Sequence, residues 1–367
     1  MERPPGQRCH PRRRAPGGDR GVLSTRGRQA AQEASTRRVG PASIGGVRHS
    51  TDLLVIGAGP TGLFSAYYAG FRGLSVAVAD SLPELGGQIT AMYPEKAILD
   101  VAGFPTIKGR ELVAGLVEQA ASAHPTYLLG RTALTLDHGA DSVTVGFDDG
   151  STATAKALLI TAGIGKFSPR PLPAAAGWAG RGVEFFVPDF APYVGKDVLV
   201  VGGGDSAFDW ALHLEPIAKS VTLVHRRDAF RAHQRTVDDV RASSVEILTH
   251  AEVAALRGDG VVAEADLIVD GVPMTRPVQA VIAALGFVAD LGPLQQWGLT
   301  VDHRHLVVDG AMRTNLPRVF AAGDITQYDG KVRLIAVGFG EAATAVNNAA
   351  VVIDPSAHVF PGHSSEA

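Results

Sequence analysis

Two glycine-rich turns carry most of the chemistry legible in this chain. The first, Gly57-Ala-Gly59-Pro-Thr61-Gly62, follows the apolar run 53–56; the second, Gly202-Gly-Gly204-Asp205-Ser206-Ala207, follows 198–201. Glycines at this spacing permit a tight strand-to-helix turn. They also let a pyrophosphate approach backbone N–H groups at a helix N-terminus, where unpaired donors attract anions. Two such turns suggest two dinucleotides on one chain, and the residues after each second strand distinguish them. Asp80 stands 18 residues beyond Gly62, where a carboxylate accepts hydrogen bonds from an adenosine ribose and repels a 2′-phosphate, as suits FAD or NAD. The corresponding place in the second copy reads His225-Arg226-Arg227, with Arg231 four residues on. Guanidinium groups grip phosphate bidentately, so this copy is expected to bind NADP(H) rather than NAD(H), through Gly202, Gly204, Asp205, Ser206, Arg226, Arg227 and Arg231. A third signal, Gly323-Asp324 after the buried run 318–322, reads as the far end of an FAD site. There the Asp324 carboxylate is expected to bond the ribityl chain, while the next helix aims its positive end at the flavin.

The elements that must position these residues form one unit written twice. In the first copy a strand at 52–56 leads through the glycine turn to a helix over 60–72 and a strand at 75–79. Alternating segments near 131–136, 142–147 and 152–155 follow, with Asp149-Gly150 as a hairpin turn, and then a closing strand at 157–161. The second copy repeats the order: strand 198–201, helix to 214, strand 221–224, short segments near 251–256, 261–269 and 275–279, and closing strand 280–285. Prolines 169, 171 and 173 mark 166–173 as a hinge, and a last helix is expected over 340–353. The economical architecture is an α/β protein of two Rossmann-like three-layer dinucleotide-binding domains, the second inserted in the first. Residues 51–166 and 288–367 would bind FAD, residues 167–287 would bind NADP(H), and 1–50 would be a leader.

The leader holds eleven Arg against Glu2, Asp19 and Glu33, a balance of +8, so the remaining chain carries −11 of the total of −3. Rich in Arg, Gly, Pro and Ser and without apolar periodicity, it is expected to be a disordered, dispensable extension rather than a nucleic-acid-binding arm. Pro4, Pro5, Pro11 and Pro16 also spoil an amphipathic targeting helix. The single cysteine, Cys9, lies there, which excludes an internal disulfide, a cysteine-based zinc site and a CxxC redox pair. No metal-ligand cluster is read, and no uninterrupted apolar run approaches the roughly 20 residues of a membrane span. A cytoplasmic enzyme is the expectation.

GAGPTG, HRRDAFRA and VFAAGD together, over 51–367, resemble the two-domain flavoprotein reductases of the thioredoxin-reductase type. Those enzymes carry a CxxC ahead of the second glycine turn, where this chain has Phe185-Phe-Val-Pro-Asp-Phe-Ala-Pro-Tyr193. The closer resemblance is to the thioredoxin-reductase-like ferredoxin–NADP+ reductases. It is carried by Leu85-Gly-Gly-Gln88, Met92-Tyr-Pro-Glu-Lys96, Asp100-Val-Ala-Gly-Phe-Pro105, Phe185-Phe-Val-Pro-Asp189, Gly330-Lys-Val-Arg-Leu-Ile-Ala336, Gly338-Phe-Gly-Glu341 and a tail with His363-Ser-Ser365. This resemblance implies FAD contacts from Thr61, Asp80, Gln88, Tyr93, Phe167 and Asp324, and from the backbone near Ala133. It also implies Tyr93 stacked on one flavin face, with His363 covering the other from a C-terminal extension that reaches the partner of a homodimer, and Ser365 near the ring edge. Met92 replaces the usual Leu, the chain ends two residues after Ser365, and the leader has no family counterpart.

The implied reaction passes hydride between NADPH and flavin N5 and single electrons between flavin and ferredoxin or flavodoxin. It needs rotation of the two domains about 166–173 and 285–290. Lys96, Lys108, Arg110 and Lys166 are candidate docking cations for an acidic acceptor protein, whereas Lys331 and Arg333 read as surface decoration. The rival readings are a thiol or disulfide reductase, disfavoured by the missing CxxC; a flavin monooxygenase, disfavoured by the lack of an FxGxxxHxxx segment; and a flavin-holding redox sensor.

Overall fold

In the computed structural model the described residues are 47–360 and Gly362. Residues 1–46, with Cys9 among them, and His363 and Ser365 lie outside them. The first body is built from β1 (Arg48–Ile56), α1 (Pro60–Phe71), β2 (Val76–Asp80), α2 (Gln88–Met92), α3 (Gly109–Ala121), β3 (Thr126–Leu129), β4 (Ala133–His138), β5 (Val143–Phe147) and β6 (Thr152–Ile160). Its sheet runs in the order β3-β2-β1-β6-β5-β4. Leu53, Leu54 and Val55 are fully buried because β1 is paired on both edges and covered on both faces, which explains why 53–56 reads as continuous apolar sequence.

Two boundaries in this sheet differ from the sequence reading. β1 begins at Arg48, so Arg48, His49 and Ser50 are paired with Thr152, Ala153 and Thr154 rather than belonging to the leader. The segments 152–155 and 157–161 are one nine-residue strand. The residue that interrupts their apolar pattern, Lys156, is exposed and forms an ion pair of 2.8 Å with Asp52 on the neighbouring strand.

The chain then leaves through β7 (Lys166–Pro169) into β8 (Val183–Glu184), β9 (Asp197–Val201), α4 (Asp205–Leu214), β10 (Ser220–Val224), α5 (Gln234–Ala242) and β11 (Glu246–Leu248). β12 (Ala251–Arg257), β13 (Glu264–Val269) and β14 (Val272–Pro277) form an antiparallel sheet, and β15 (Ala280–Ala283) closes the insert. Its main sheet is parallel, in the order β8-β15-β9-β10-β11, with its own core around Phe208, Leu214 and Leu223. β16 (Phe287–Asp290) brings the chain back by pairing antiparallel with β7, Phe287 against Pro169 and Asp290 against Lys166. The outgoing and returning connections are therefore one two-stranded ribbon, within the two connections, 166–173 and 285–290, that the sequence marks as hinges.

β17 (Val319–Ala321) rejoins the first sheet beside Leu158, Leu159 and Ile160, and α6 (Ile335–Ile353) packs on α1 and β6. α6 starts five residues before the sequence reading placed it. A Cβ at Gly338 would come within 2.5 Å of Thr61 Oγ1, so glycine there is what lets α6 approach α1. By length and apolar composition α6 would pass for a membrane span. Its buried Glu341, Asn348, Ala345 and Val346 instead make it a core helix.

Candidate active site

The carboxyl ends of β1, β2, β6 and β17 meet at one rim, where an open parallel sheet leaves its ligand crevice. There the three fingerprint glycines do different jobs. Gly57 has φ +111° and a Cβ on it would lie 2.4 Å from Thr161 O; a Cβ on Gly62 would lie 1.8 Å from Gly57 O. Both are demanded by packing. Gly59 has ordinary extended dihedrals and its Cβ would meet no protein atom within 4 Å. Its bareness serves space outside the protein. α1 starts there with no side-chain cap and no acidic residue in its first turn, so its N-terminal donors face that space without a protein acceptor.

Asp80 braces the turn from below. Its Oδ2 accepts from Ala58 N at 2.6 Å and its Oδ1 from Leu82 N at 2.8 Å. Burial pushes its carboxyl above the usual carboxylate range, opposed by these backbone donors and that of Ser81. The segment leading to Ala133 passes directly beside it, Arg131 N donating to Asp80 O at 3.0 Å. Ala133 opens β4 opposite Phe147, next to a bulge.

The 85–88 loop folds over the turn. Gly86 N donates to Ala58 O at 2.8 Å, and Gly87, at φ +58°, would put a Cβ 2.9 Å from Gly59 Cα. The loop delivers Gln88 so that its Nε2 would lie 2.8 Å from a Cβ on Gly163. Gly163 was missed in the sequence, although it follows the closing strand as Gly286 does in the second copy. At the far end Thr61 Oγ1 sits within 2.9 Å of where Gly323 would carry a Cβ. Tyr93 packs against both the first core and the insert's. Burial, then the Asp324 and Asp100 carboxylates, pushes its phenol up to about 12, so it is a neutral ring at working pH. Burial also raises the Asp324 carboxyl, against the pull of Lys331 and Arg333. Phe167 lies on β7, its backbone paired with Ala289.

The second site repeats the logic at the ends of β9, β10 and β15. A Cβ on Gly202 would lie 2.4 Å from Ala284 O and one on Gly203 2.4 Å from the His225 ring, whereas Gly204 faces open space. His225 is thus the floor of the turn, a role that nothing in its local sequence signals. Burial holds its imidazole below the usual histidine range against a backbone hydrogen bond at Ala229, and the positive charges of Arg226, Arg227 and Arg231 push it the same way. The arginine loop is stitched to the turn at two points: Arg231 N donates to Gly203 O at 2.7 Å, and His233 N to Asp205 Oδ1 at 2.8 Å. The Asp205 carboxylate therefore holds the loop. Ser206 follows it in the first turn of α4. Arg226, Arg227 and Arg231 are exposed, and among the described residues none has a carboxylate within ion-pair distance.

The candidate docking cations are differently placed. Lys108 and Arg110 converge on one carboxylate, Glu95, and Lys96 pairs at 2.7 Å with Asp209 on α4 of the insert. Lys331, read as surface, has a side chain only 1% exposed, paired with that of Glu341, 4% exposed. An acid inside the apolar pattern of α6 was the available signal.

These features agree with what the chain resembles among known proteins. Residues 51–349 match the family model described as pyridine nucleotide-disulphide oxidoreductase. A ferredoxin–NADP reductase of Nocardioides sp. is 77% identical over 319 residues, covering 86% of this chain and 97% of that protein; one of Salinispora tropica is 63% identical, covering 87% and 99%. Among solved structures, the thioredoxin reductase of T. acidophilum superposes with a TM-score of 0.71 at 26% identity, covering 82% of this chain and 98% of that one. The chain therefore belongs to the pyridine nucleotide-disulphide oxidoreductase family, among its ferredoxin–NADP reductases.

Proposed function

We propose that the chain is an FAD-dependent ferredoxin–NADP+ reductase, with flavodoxin as a further acceptor. The first body (51–166 with 288–367) is its FAD domain and the insert (167–287) its NADP(H) domain. The observation that carries this reading is the doubled cradle: each turn has one glycine open to space, the first braced by Asp80, the second stitched to the loop of Arg226, Arg227 and Arg231, which have no carboxylate partner among the described residues. A pyrophosphate fits where Gly59 and Gly204 leave room, and a 2′-phosphate fits only the second site.

When bound, the flavin supplies hydride exchange with nicotinamide and single-electron release. The chain's own residues supply position and field. Gly59 and the α1 N-terminus hold the pyrophosphate, while Gln88, Thr61, Asp324 and the backbone near Ala133 line the length of the FAD site. Tyr93 provides a neutral aromatic face, with His363 and Ser365 as the cover on the other side, in a homodimer from the partner. Arg226, Arg227 and Arg231 hold NADPH by its phosphate. With a single cysteine in the chain, no dithiol pair can relay electrons within it, which turns the reading away from disulfide reduction.

The test is a coupled assay with purified ferredoxin and flavodoxin. Yellow protein that reduces either acceptor from NADPH is expected. Colourless protein after incubation with FAD sinks the reading, and NADPH oxidation yielding hydroxylated product would favour the monooxygenase instead.

Rotation of the insert about the β7–β16 ribbon is part of this proposal, and the Lys96–Asp209 pair offers a way to stop it. A zero-length carbodiimide crosslink between these groups, 2.7 Å apart, should slow single-turnover NADPH oxidation at least about tenfold. A Lys96→Ala protein given the same treatment should keep its rate. Equal slowing in both proteins, or none in either, would remove the hinge from the mechanism.

A further inference from the structure

Gly323 is held at both of its backbone polar groups by side chains from behind the site. Glu341 Oε2 accepts from its N–H at 2.7 Å, and Lys331 Nζ donates to its carbonyl at 3.0 Å. The two side chains pair with each other, Tyr328 OH donates to Glu341 Oε1 at 2.5 Å, and Thr326 Oγ1 donates to Gly323 O at 2.8 Å. Gly323 itself has φ +84°, and a Cβ there would lie 2.9 Å from Thr61 Oγ1. The two peptides that flank Gly323 are thus fixed by charged groups that water hardly reaches, the one before it by Glu341 and the one leading to Asp324 by Lys331. Two buried charges are costly to desolvate, and an apolar pair of similar size would fill the space at less cost, so stability alone does not explain them. What they touch is the one loop that presents Asp324.

The geometry points to Glu341 and Lys331 as positioning residues for bound FAD: together they clamp the Gly323 peptide so that Asp324 faces the cofactor, and their opposite charges balance the field at the flavin end. This rests on the reading of the first body as an FAD domain. Glu341 lies in the second turn of α6 and Lys331 four residues before its first residue, so both flank the positive end of that helix.

Opposite charges make the inference testable by sign. Glu341→Gln keeps an acceptor for the Gly323 N–H but leaves the Lys331 ammonium uncompensated, which favours the negative charge of reduced flavin and should raise the reduction potential of bound FAD. Lys331→Met leaves the carboxylate uncompensated and should lower it. The double variant Glu341→Gln/Lys331→Met should return the potential close to that of the unmodified protein, while all three bind FAD about tenfold more weakly because the clamp is incomplete. A merely structural pair would move both single variants' potentials in the same direction, or neither. Either result overturns the inference, as does unchanged FAD affinity.

If the single variants do not fold, the charge-free double variant and Tyr328→Phe carry the test: FAD affinity equal to that of the unmodified protein in both would overturn it. Unmodified protein that never takes up FAD defeats the function proposed above, and this inference with it. Yellow unmodified protein alongside variants indistinguishable from it defeats only the clamp.

Discussion

Replacing Arg226 and Arg227 together by alanine should raise KM for NADPH about 100-fold while leaving KM for NADH nearly unchanged. A hydrogen bond to a charged group is worth ~1.5 kcal/mol or more, about a factor of ten, and each guanidinium loses at least one on truncation. The effect should fall on binding rather than on turnover at saturation, since the 2′-phosphate is remote from the nicotinamide and is held equally in ground and transition states. The loop itself should survive, because what fixes it to the glycine turn is the backbone of Arg231 and His233, not the two truncated side chains. Rising salt should weaken NADPH binding to the unmodified protein and have little effect on the double variant. Steady-state kinetics with both coenzymes decides the matter: an equal rise in both KM values would show that the arginines support the loop rather than read the phosphate.

Much of this was legible in the sequence, for a physical reason. A nucleotide-binding turn forbids side chains at fixed spacing, by backbone conformation and packing at Gly57, by packing at Gly62 and by room for a ligand at Gly59, so the three glycines announce both a strand end and a helix start. Charges that face a ligand must sit at strand ends, which made Asp80, Arg226 and Arg227 readable. What stayed hidden depends on pairing between distant segments. Nothing local says that Lys156 lies opposite Asp52, so an unbroken strand read as two. Gly338 looks like a helix breaker until Thr61, nearly three hundred positions earlier, is seen to need its space. Lys331 looks exposed because lysine usually is; only the fold brings Glu341 to it. The same blindness applies to Lys96, whose partner Asp209 lies on the inserted body.

The glycines of each turn should separate into two classes under substitution, and this is the sharpest test that the open space belongs to a ligand. Gly59→Ala should fold, its apoprotein melting within about 3 °C of the unmodified apoprotein, since its dihedrals suit any residue and the added methyl meets no protein atom within 4 Å. It should nevertheless lose FAD affinity by about 100-fold or more, because the methyl holds the pyrophosphate away from backbone donors and forfeits two charge-assisted hydrogen bonds of ~1.5 kcal/mol each. Gly62→Ala should fail the other way. Its methyl would lie 1.8 Å from Gly57 O, an overlap with backbone that no rotamer relieves, so the protein should unfold or aggregate. The insert offers the same contrast independently: Gly204→Ala should stay yellow and folded while binding NADPH poorly, and Gly203→Ala should disturb the fold by driving into the His225 ring at 2.4 Å. Colour, thermal melting and NADPH titration of four purified variants suffice. If Gly59→Ala retained FAD at full affinity, the space beside that glycine would be empty of cofactor, and the first cradle would have to be assigned to something else.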